Sequence, residues 1–245
     1  AQVIWTKSSR AVPMACNPSV DVEHRAEEAR KRQGDLQWEI EVTSQWGHIL
    51  KDEPECHSEQ IGNKEIWVLD GLFTEEECQS LLEAAEQHGF GTTSYPKSYR
   101  GNLRLITTDA SLSEIVWMRL KPHVPEELDL NGETWDAVGV NEVWRLAKYY
   151  PGDRFCGHCD SWFERTEKEV SMLTVNIYMN GDFSGGRTRF YQRDRKHVEF
   201  AVEPQAGRCL LFRQPPGVKY FHDGEVLASG TKYLFRSDVM YRRRS

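Results

Sequence analysis

His158, Asp160, His222 and Lys232 are the residues whose types and spacing could do chemistry together. Two imidazoles and one carboxylate can cap one face of an octahedral metal and leave the opposite positions open, the donor set of non-haem Fe(II) oxygenase chemistry. Imidazole is a borderline ligand and carboxylate a hard one, and neither demands the tetrahedral closure that cysteine clusters do. His158 and Asp160 are two apart, so on an extended backbone both side chains leave the same face. His222 must then arrive from a distant strand. Lys232 lies ten residues further on, far enough to return along a neighbouring strand. There its ammonium could hold the far carboxylate of a dicarboxylic cosubstrate.

The same segment carries competing motifs. Residues 156–159 read CGHC, the form of a redox dithiol, whose thiol pKa falls when the first cysteine caps a helix. Here a YPGD turn precedes the motif instead of a thioredoxin-like strand and helix, with Phe155 before it and Asp160 after it. A zinc site drawing on Cys156 and Cys159 with Cys16 or Cys56 is a second alternative. On an extended segment Cys156 would share the metal face with Asp160, while Cys159 would point away. The Gly185-Gly186 pair is no phosphate cradle, because no Gly-Lys-Ser/Thr follows it. A tight bend between strands accounts for it.

These residues need a framework. From about Val143 onward the chain reads as short strands broken by turns at 151–153, 180–186, 204–207, 215–217 and 228–230. Such spacing predicts an all-β sandwich or barrel. In the last strand Lys232, Leu234, Arg236 and Asp238 share one face, and Tyr233, Phe235 and Val239 the other. The polar face suits a lumen that holds an ionic ligand; the apolar face suits packing under helices. Ile66 to Leu69 reads as a strand. A helix is expected from Glu75 to about His88, with a Thr74/Glu77 capping box, Gly89 at its end, and Cys78, Leu81, Leu82 and Ala85 as its buried stripe. Ser111 with Glu114 predicts a second capping box, with Leu112, Ile115, Val116 and Leu120 facing inward and Pro122 as the stop. Residues 1–64 are polar and weakly patterned. They are expected to be a partly helical N-terminal extension, with a helix over 21–33 and an edge strand around Trp38, Ile40 and Val42, ahead of a domain over 65–245.

Composition narrows the function classes. The chain has 245 residues, 39% apolar content and a formal charge of −7, enough for one sizeable core and nothing that suggests nucleic-acid or anionic-membrane binding. No run of about 20 apolar residues exists to span a membrane. The first 20 residues lack the apolar core of a signal peptide, so an intracellular location is expected, although the chain starts at Ala1 rather than Met. The six cysteines are irregularly spaced, and reduced thiols are expected. Oligomeric state is not legible.

The segments WVLDGLFTEEECQSLL (67–82), YYPGDRFCGHCDSW (149–162), LTVNIYMN (173–180), SGGRTRFY (184–191), VEPQAGRCLLF (202–212) and HDGEVLASGTKYLFRSDVMY (222–241) resemble, in order and spacing, the prolyl 4-hydroxylase-like branch of the Fe(II)/2-oxoglutarate dioxygenases. The resemblance implies an all-β core with flanking helices, folded as a double-stranded β-helix, the cupin-like jelly-roll barrel. It implies Fe(II) held by His158, Asp160 and His222, with 2-oxoglutarate and O2 at the open positions and ascorbate as an optional further cofactor. Oxidative decarboxylation to succinate and CO2 would then accompany hydroxylation of an unactivated C–H. Lys232 stands where this branch places its basic residue. Arg236, four residues on, is the alternative cation, with an ion pair to Asp238 as its simpler role. Tyr178 and Tyr150 match family tyrosines of the cosubstrate pocket, and Thr174 and Asn176 share the face of Tyr178.

Two loops bear on substrate. Residues 161–170, with Trp162 and Phe163, could close over the site as a lid. Residues 91–104 offer Tyr95, Tyr99, Arg100 and Arg104 to a peptide or a carboxylate. A peptidyl prolyl residue is the first expectation. A free amino acid or other small carboxylated molecule, hydroxylated or cyclised, is the second. A barrel that keeps its metal ligands but serves only as a sensing module is the alternative outside catalysis.

Overall fold

A computed structural model describes residues 39–51 and 53–244. The expected 21–33 helix, Trp38 and Cys16 lie outside the described residues. The strands are β1 (Ile40–Thr43), β2 (His57–Gln60), β3 (Ile66–Asp70), β4 (Leu103–Thr108), β5 (Glu127–Leu130), β6 (Glu133–Val140), β7 (Val143–Tyr149), β8 (Phe155–His158), β9 (Glu164–Thr166), β10 (Glu169–Tyr178), β11 (Ser184–Gly185), β12 (Thr188–Tyr191), β13 (Val198–Val202), β14 (Cys209–Arg213), β15 (His222–Gly224), β16 (Leu227–Ser229) and β17 (Lys232–Arg243). The α-helices are α1 (Glu75–His88) and α2 (Ala110–Leu120), and two short 3-10 turns lie at Trp46–Ile49 and Lys121–His123. Among the described residues no helix is long and apolar enough to cross a membrane.

Fifteen of these strands make two facing sheets, and β11 and β16 pair as a separate two-stranded ribbon. The large sheet runs β1-β4-β7-β17-β10-β14-β3-β2, with β5, β6 and β9 attached, and the small sheet runs β13-β12-β15-β8. The jelly-roll expectation holds for the layers but not for closure. Among the described residues the edge strands of the small sheet pair with no strand of the large one, so this is a sandwich and not a closed barrel. Side chains from both sheets interlock between them: Ile66, Val68, Tyr178, Leu210 and Phe212 from the large sheet, Phe190, Phe200 and Val202 from the small one. That plug fills one end of the intersheet space. The other end stays open as the cavity described below.

The outer face of the large sheet is covered by the helices. Leu81, Leu82 and Ala85 of α1 and Leu112, Val116 and Leu120 of α2 pack with Leu105, Leu146, Val175, Leu211 and Phe235. Each fully buried leucine, valine or phenylalanine among them contributes about 1.5–3 kcal/mol. α1 starts at its capping box, with the Thr74 hydroxyl accepting from Glu77 N and the Glu77 carboxylate accepting from Thr74 N. The buried Glu77 also takes both guanidinium nitrogens of Arg119, at 2.8 and 2.7 Å, and so fastens α1 to α2. The expected cap of α2 is displaced. Asp109, not Ser111, is the N-cap. Its two oxygens satisfy four donors: Leu112 N and Ser111 Oγ on one, Trp46 N and Ser44 Oγ on the other. A hydroxyl cannot serve that many, so the helix starts earlier than the Ser/Glu spacing suggested.

β1 pairs in parallel with β4, and β2 pairs with β3. The edge strand expected near Ile40 and Val42 is therefore present. Residue 64 is no physical boundary, because the stretch before it supplies the strands at both ends of the large sheet's path.

Candidate active site

Strand alternation selects the residues that face the cavity. In β17 these are Lys232, Leu234, Arg236 and Asp238; in β7, paired with Arg145 opposite Arg236, they are Arg145, Ala147 and Tyr149. In β4, Arg104 lies opposite Ala147. In β10, Asn176 lies opposite Arg236 and Thr174 opposite Asp238. The small sheet faces them with Thr188, His222 and His158. The enclosed space is about 390 Å³.

His158 and His222 are direct cross-strand partners on β8 and β15. Their ring centroids are 4.3 Å apart, and ligand atoms of His158, Asp160 and His222 all lie within 4.8 Å of one another. Each imidazole has its Nδ1 fixed: His158 Nδ1 is 2.9 Å from the carbonyl of Cys156, and His222 Nδ1 is 2.9 Å from that of Tyr220. A carbonyl only accepts, so each Nδ1 carries the proton and each Nε2 presents its lone pair. Burial, helped by His158, depresses the His222 imidazole to about 4, so it is neutral at pH 7, as a metal ligand must be. The rings are wedged in place, His158 stacked on Phe155 at 3.7 Å and His222 against Phe212 at 4.9 Å.

Asp160 is oriented from behind. Thr174 Oγ1 donates to Asp160 Oδ2 at 2.7 Å, and Gln214 Nε2 donates to Thr174 Oγ1 at 2.8 Å. Gln214 Nε2 also reaches Asp238 Oδ1 at 2.6 Å, and its Oε1 accepts from Ser171 Oγ. Arg236 Nη2 lies 3.3 Å from Asp160 Oδ2. Burial alone would raise the Asp160 carboxyl; the Arg236 guanidinium beside it outweighs that and holds it well below the usual carboxylate range. It is an anion ready for a cation. β15 is locked to β12 by a bidentate pair between Arg189 and Asp223, at 2.8 and 2.5 Å, and another between Arg187 and Glu225. Two preset lone pairs, one depressed carboxylate and an open cavity fit Fe(II).

Lys232 is buried, its Nζ 2.5 Å from the carbonyl of Gly186 and 5.4 Å from the rings of Tyr149 and Tyr178. Burial lowers it to about 8, against the pull of Glu225 and Asp223. Among the described residues no carboxylate pairs with it. Gly186 makes this possible: its backbone is left-handed, at φ +69°, and a Cβ there would press on Lys232 itself at 3.2 Å. Arg236 instead pairs with Asp160 and Asp238.

The structure gathers most of the expected residues and displaces some. Lys232, Arg236, Asn176, Tyr95, Tyr99, Arg100, Arg104 and Trp162 line the cavity with the triad. Thr174 sits behind Asp160 instead of lining the pocket. The Tyr178 hydroxyl is turned to Thr188 Oγ1, 2.6 Å away, so Thr188 and not Tyr178 offers a hydroxyl to the cavity. Tyr150 does not face it. Alternation along β7 turns Tyr149 inward, while Tyr150 enters the turn and packs with the cluster under the helices. Arg145, Tyr149, Thr188, Asp223 and Gln214 escaped the motif reading. The alternation that marked β17 would have found Arg145 and Tyr149 on β7; nothing in the sequence marks Gln214.

The cysteine expectations also change. Cys159 is a free thiol, as are Cys56, Cys78 and Cys209, whereas Cys156 is disulfide-bonded, so the all-reduced expectation fails there. Irregular spacing carries no information on pairing. Cys156 and Cys159 are not joined to each other, and neither belongs to the ligand cluster. It is Cys159 that lines the cavity, because Asp160 and Cys159 lie beyond the end of β8, where strand alternation no longer holds. Gly157 of the CGHC run is there for space. A Cβ would lie 2.4 Å from the Phe221 ring.

Comparison with known proteins agrees with this geometry. Residues 144–236 match the family model of the 2OG-Fe(II) oxygenase superfamily. Prolyl 3-hydroxylase 2 from Gallus gallus and from Homo sapiens are each 31% identical over 87 residues, 34% of this chain and 12% of theirs. The chain thus spans about an eighth of those relatives. A prolyl hydroxylase from Trichoplax adhaerens, solved with a hypoxia-inducible factor peptide fragment, superposes with a TM-score of 0.54 at 16% identity, over 72% of this chain and 84% of that one. A Pseudomonas putida prolyl-4-hydroxylase gives 0.52 at 16%, over 75% and 95%, and a viral collagen prolyl hydroxylase from Paramecium bursaria Chlorella virus-1 gives 0.51 at 19%, over 74% and 97%. At these identities the likeness is one of fold. The matched stretch, residues 144–236, contains the whole triad of His158, Asp160 and His222 and is similar to the 2OG-Fe(II) oxygenase superfamily model.

Proposed function

We propose that this 2-oxoglutarate- and Fe(II)-dependent dioxygenase domain hydroxylates an unactivated C–H of a prolyl residue in a peptide. The observation that carries the reading is the lone buried ammonium of Lys232 in the same cavity as the preset triad of His158, Asp160 and His222. When bound, Fe(II) would supply the O2 chemistry, coupled to decarboxylation of 2-oxoglutarate. This chain's residues do the rest. Lys232 pairs with the distal carboxylate of 2-oxoglutarate, and Thr188, Asn176 and Tyr149 shape its pocket. Thr174 and Gln214 hold Asp160 in orientation. Phe155 and Phe212 fix the imidazoles and keep water from their faces.

Two observations support the prolyl unit. The relatives are named prolyl hydroxylases, one of them solved with a peptide. Four of the large apolar side chains exposed on the described surface, Tyr95, Tyr99, Trp162 and Phe163, all stand at this cavity. Aromatic faces there suit the ring of proline. The test is incubation with Fe(II), 2-oxoglutarate and proline-containing peptides, reading succinate and peptide mass. Gain of one oxygen on proline, matched by succinate, is expected. Succinate without any peptide oxidation would remove the prolyl reading and leave the dioxygenase.

A further inference from the structure

The wall of the cavity beside Asp160 carries more positive charge than the protein neutralises. Arg100, Arg104, Arg145 and Arg236 all line it. Glu39 pairs with Arg104 at 2.6 Å, Asp238 with Arg145 and Arg236 at 3.6 and 3.5 Å, and Asp160 with Arg236 at 3.3 Å. Arg100 is left over. Its Nε donates to Asn102 Oδ1 at 2.9 Å, and its guanidinium lies 4.4 Å from the Phe155 ring and 5.6 Å from that of Tyr95. Among the described residues no carboxylate pairs with it. The wall is also short of acceptors: Arg104 Nε, Arg145 Nη1 and Arg236 Nε are buried without a hydrogen-bond partner.

Arg100 is held close to the chemistry. It is paired with Phe155 in a β-bridge, and Cys156 N donates to the carbonyl of Tyr99 at 2.8 Å, so its loop is tied to β8, which carries His158. The Phe155 ring touches both Arg100, at 4.4 Å, and the His158 imidazole stacked on it at 3.7 Å. Burial, together with Arg104 and Arg236, lowers the Arg100 guanidinium to about 10, which leaves it cationic at neutral pH in a field already positive. Guanidiniums crowded without matching acceptors are stabilised by an incoming anion, and the planar fork suits a carboxylate.

We propose that this arginine wall is a carboxylate subsite for the substrate, with Arg100 as the group that pairs with the incoming anion and Arg104 and Arg145 as the charges behind it. The inference rests on the cavity being the oxygenase site and deepens that reading. The substrate brings its own negative charge beside the oxidised C–H, either as the free carboxylate of a small amino-acid-like acid or as an acidic side chain next to the target residue in a peptide.

Binding without turnover tests it. The protein is loaded with Fe(II) and 2-oxoglutarate under anaerobic conditions and titrated calorimetrically with two matched pairs: N-acetylproline against its amide, and a capped Glu-Pro peptide against the Gln-Pro peptide. The acid of at least one pair should bind about tenfold tighter or more, the worth of one charge-assisted bond, and Arg100→Gln should erase that preference. Preference within the first pair identifies a free carboxylate, and within the second a side chain. Equal binding within both pairs of the wild type overturns the subsite, as does a preference that survives in Arg100→Gln. The wild-type comparison stands even if the variant folds poorly. Succinate formation by the wild type without substrate reports on the dioxygenase reading separately. If it is absent while the carboxylate preference is intact, the cavity binds an acid but the oxygenase reading that makes that acid a substrate fails.

Discussion

Lys232 and Arg100 are both cations of one cavity that lack a carboxylate partner among the described residues, and they are built in opposite ways. Lys232 stands in the longest strand, is sealed from solvent, and is braced by a glycine carbonyl and two tyrosine rings. Arg100 rides on a loop, is partly buried, and is held by the faces of aromatic rings. A rigid, desolvated point charge suits a ligand that is the same in every turnover. A planar cation on an aromatic rim suits one that enters and leaves. Between them stands the triad, oriented by carbonyls and by the Gln214–Thr174 relay.

The strongest blow to both ends at once is removal of a residue that would hold the metal. His222→Ala should abolish Fe(II) binding by calorimetry and all succinate formation, while circular dichroism stays that of the folded sandwich. Full activity in that variant would sink the ligand assignment. Next in size is the test that separates the ends. Lys232→Ala should raise the 2-oxoglutarate requirement tens- to thousands-fold, the loss of a desolvated charge pair being on the order of 2–5 kcal/mol, with metal affinity nearly unchanged. If Arg236→Ala does this and Lys232→Ala does not, the cosubstrate lies at the arginine end.

A smaller effect is expected behind the triad. Thr174→Val keeps the shape and removes the hydrogen bond to Asp160, and should cost about 10–100-fold in metal affinity or activity, as outer-shell partners of metal ligands do. An unchanged Fe(II) titration would make the relay merely structural.

The gentlest test is pH. The Lys232 amine has a folded pKa lowered to about 8. Its charged form therefore dominates below that value and is lost above it. The apparent affinity for 2-oxoglutarate should be flat below about pH 8 and fall by about tenfold per unit above it, because each unit removes a decade of the ammonium form. Lys232→Arg should flatten the profile, since arginine stays charged. A wild-type profile level to pH 10 would mean that Lys232 does not titrate in this role.

Part of this site is legible in the sequence itself, and the reason is periodicity. His158 and Asp160 at a spacing of two, and the Lys232–Asp238 face of β17, follow from the pleat alone. The α1 cap and stripe were equally local signals. What escaped depends on which side chain finds a partner across the fold. Tyr149 and Tyr150 are chemically identical in sequence, and only the turn after β7 decides between them. Gln214 reaches Thr174 and Asp238 from chain segments 40 and 24 residues away. Asp109 displaced Ser111 as cap because Ser44 and Trp46 converge on it from a distant segment. Closure of the barrel, likewise, is a property of sheet edges and has no local signature.

The placement of β1 and β2 bears on how this protein can be cut. One short stretch, residues 40–60, supplies the outermost strand at each end of the large sheet's path. Each edge strand satisfies backbone groups that would otherwise be left free. A truncation at the residue 64 boundary suggested by composition would bare the flanks of β4 and β3 together, two unpaired templates on which further chains could add strands. That stretch is therefore a pair of bookends, and trimming it would turn a self-contained sandwich into a monomer unit for assembly.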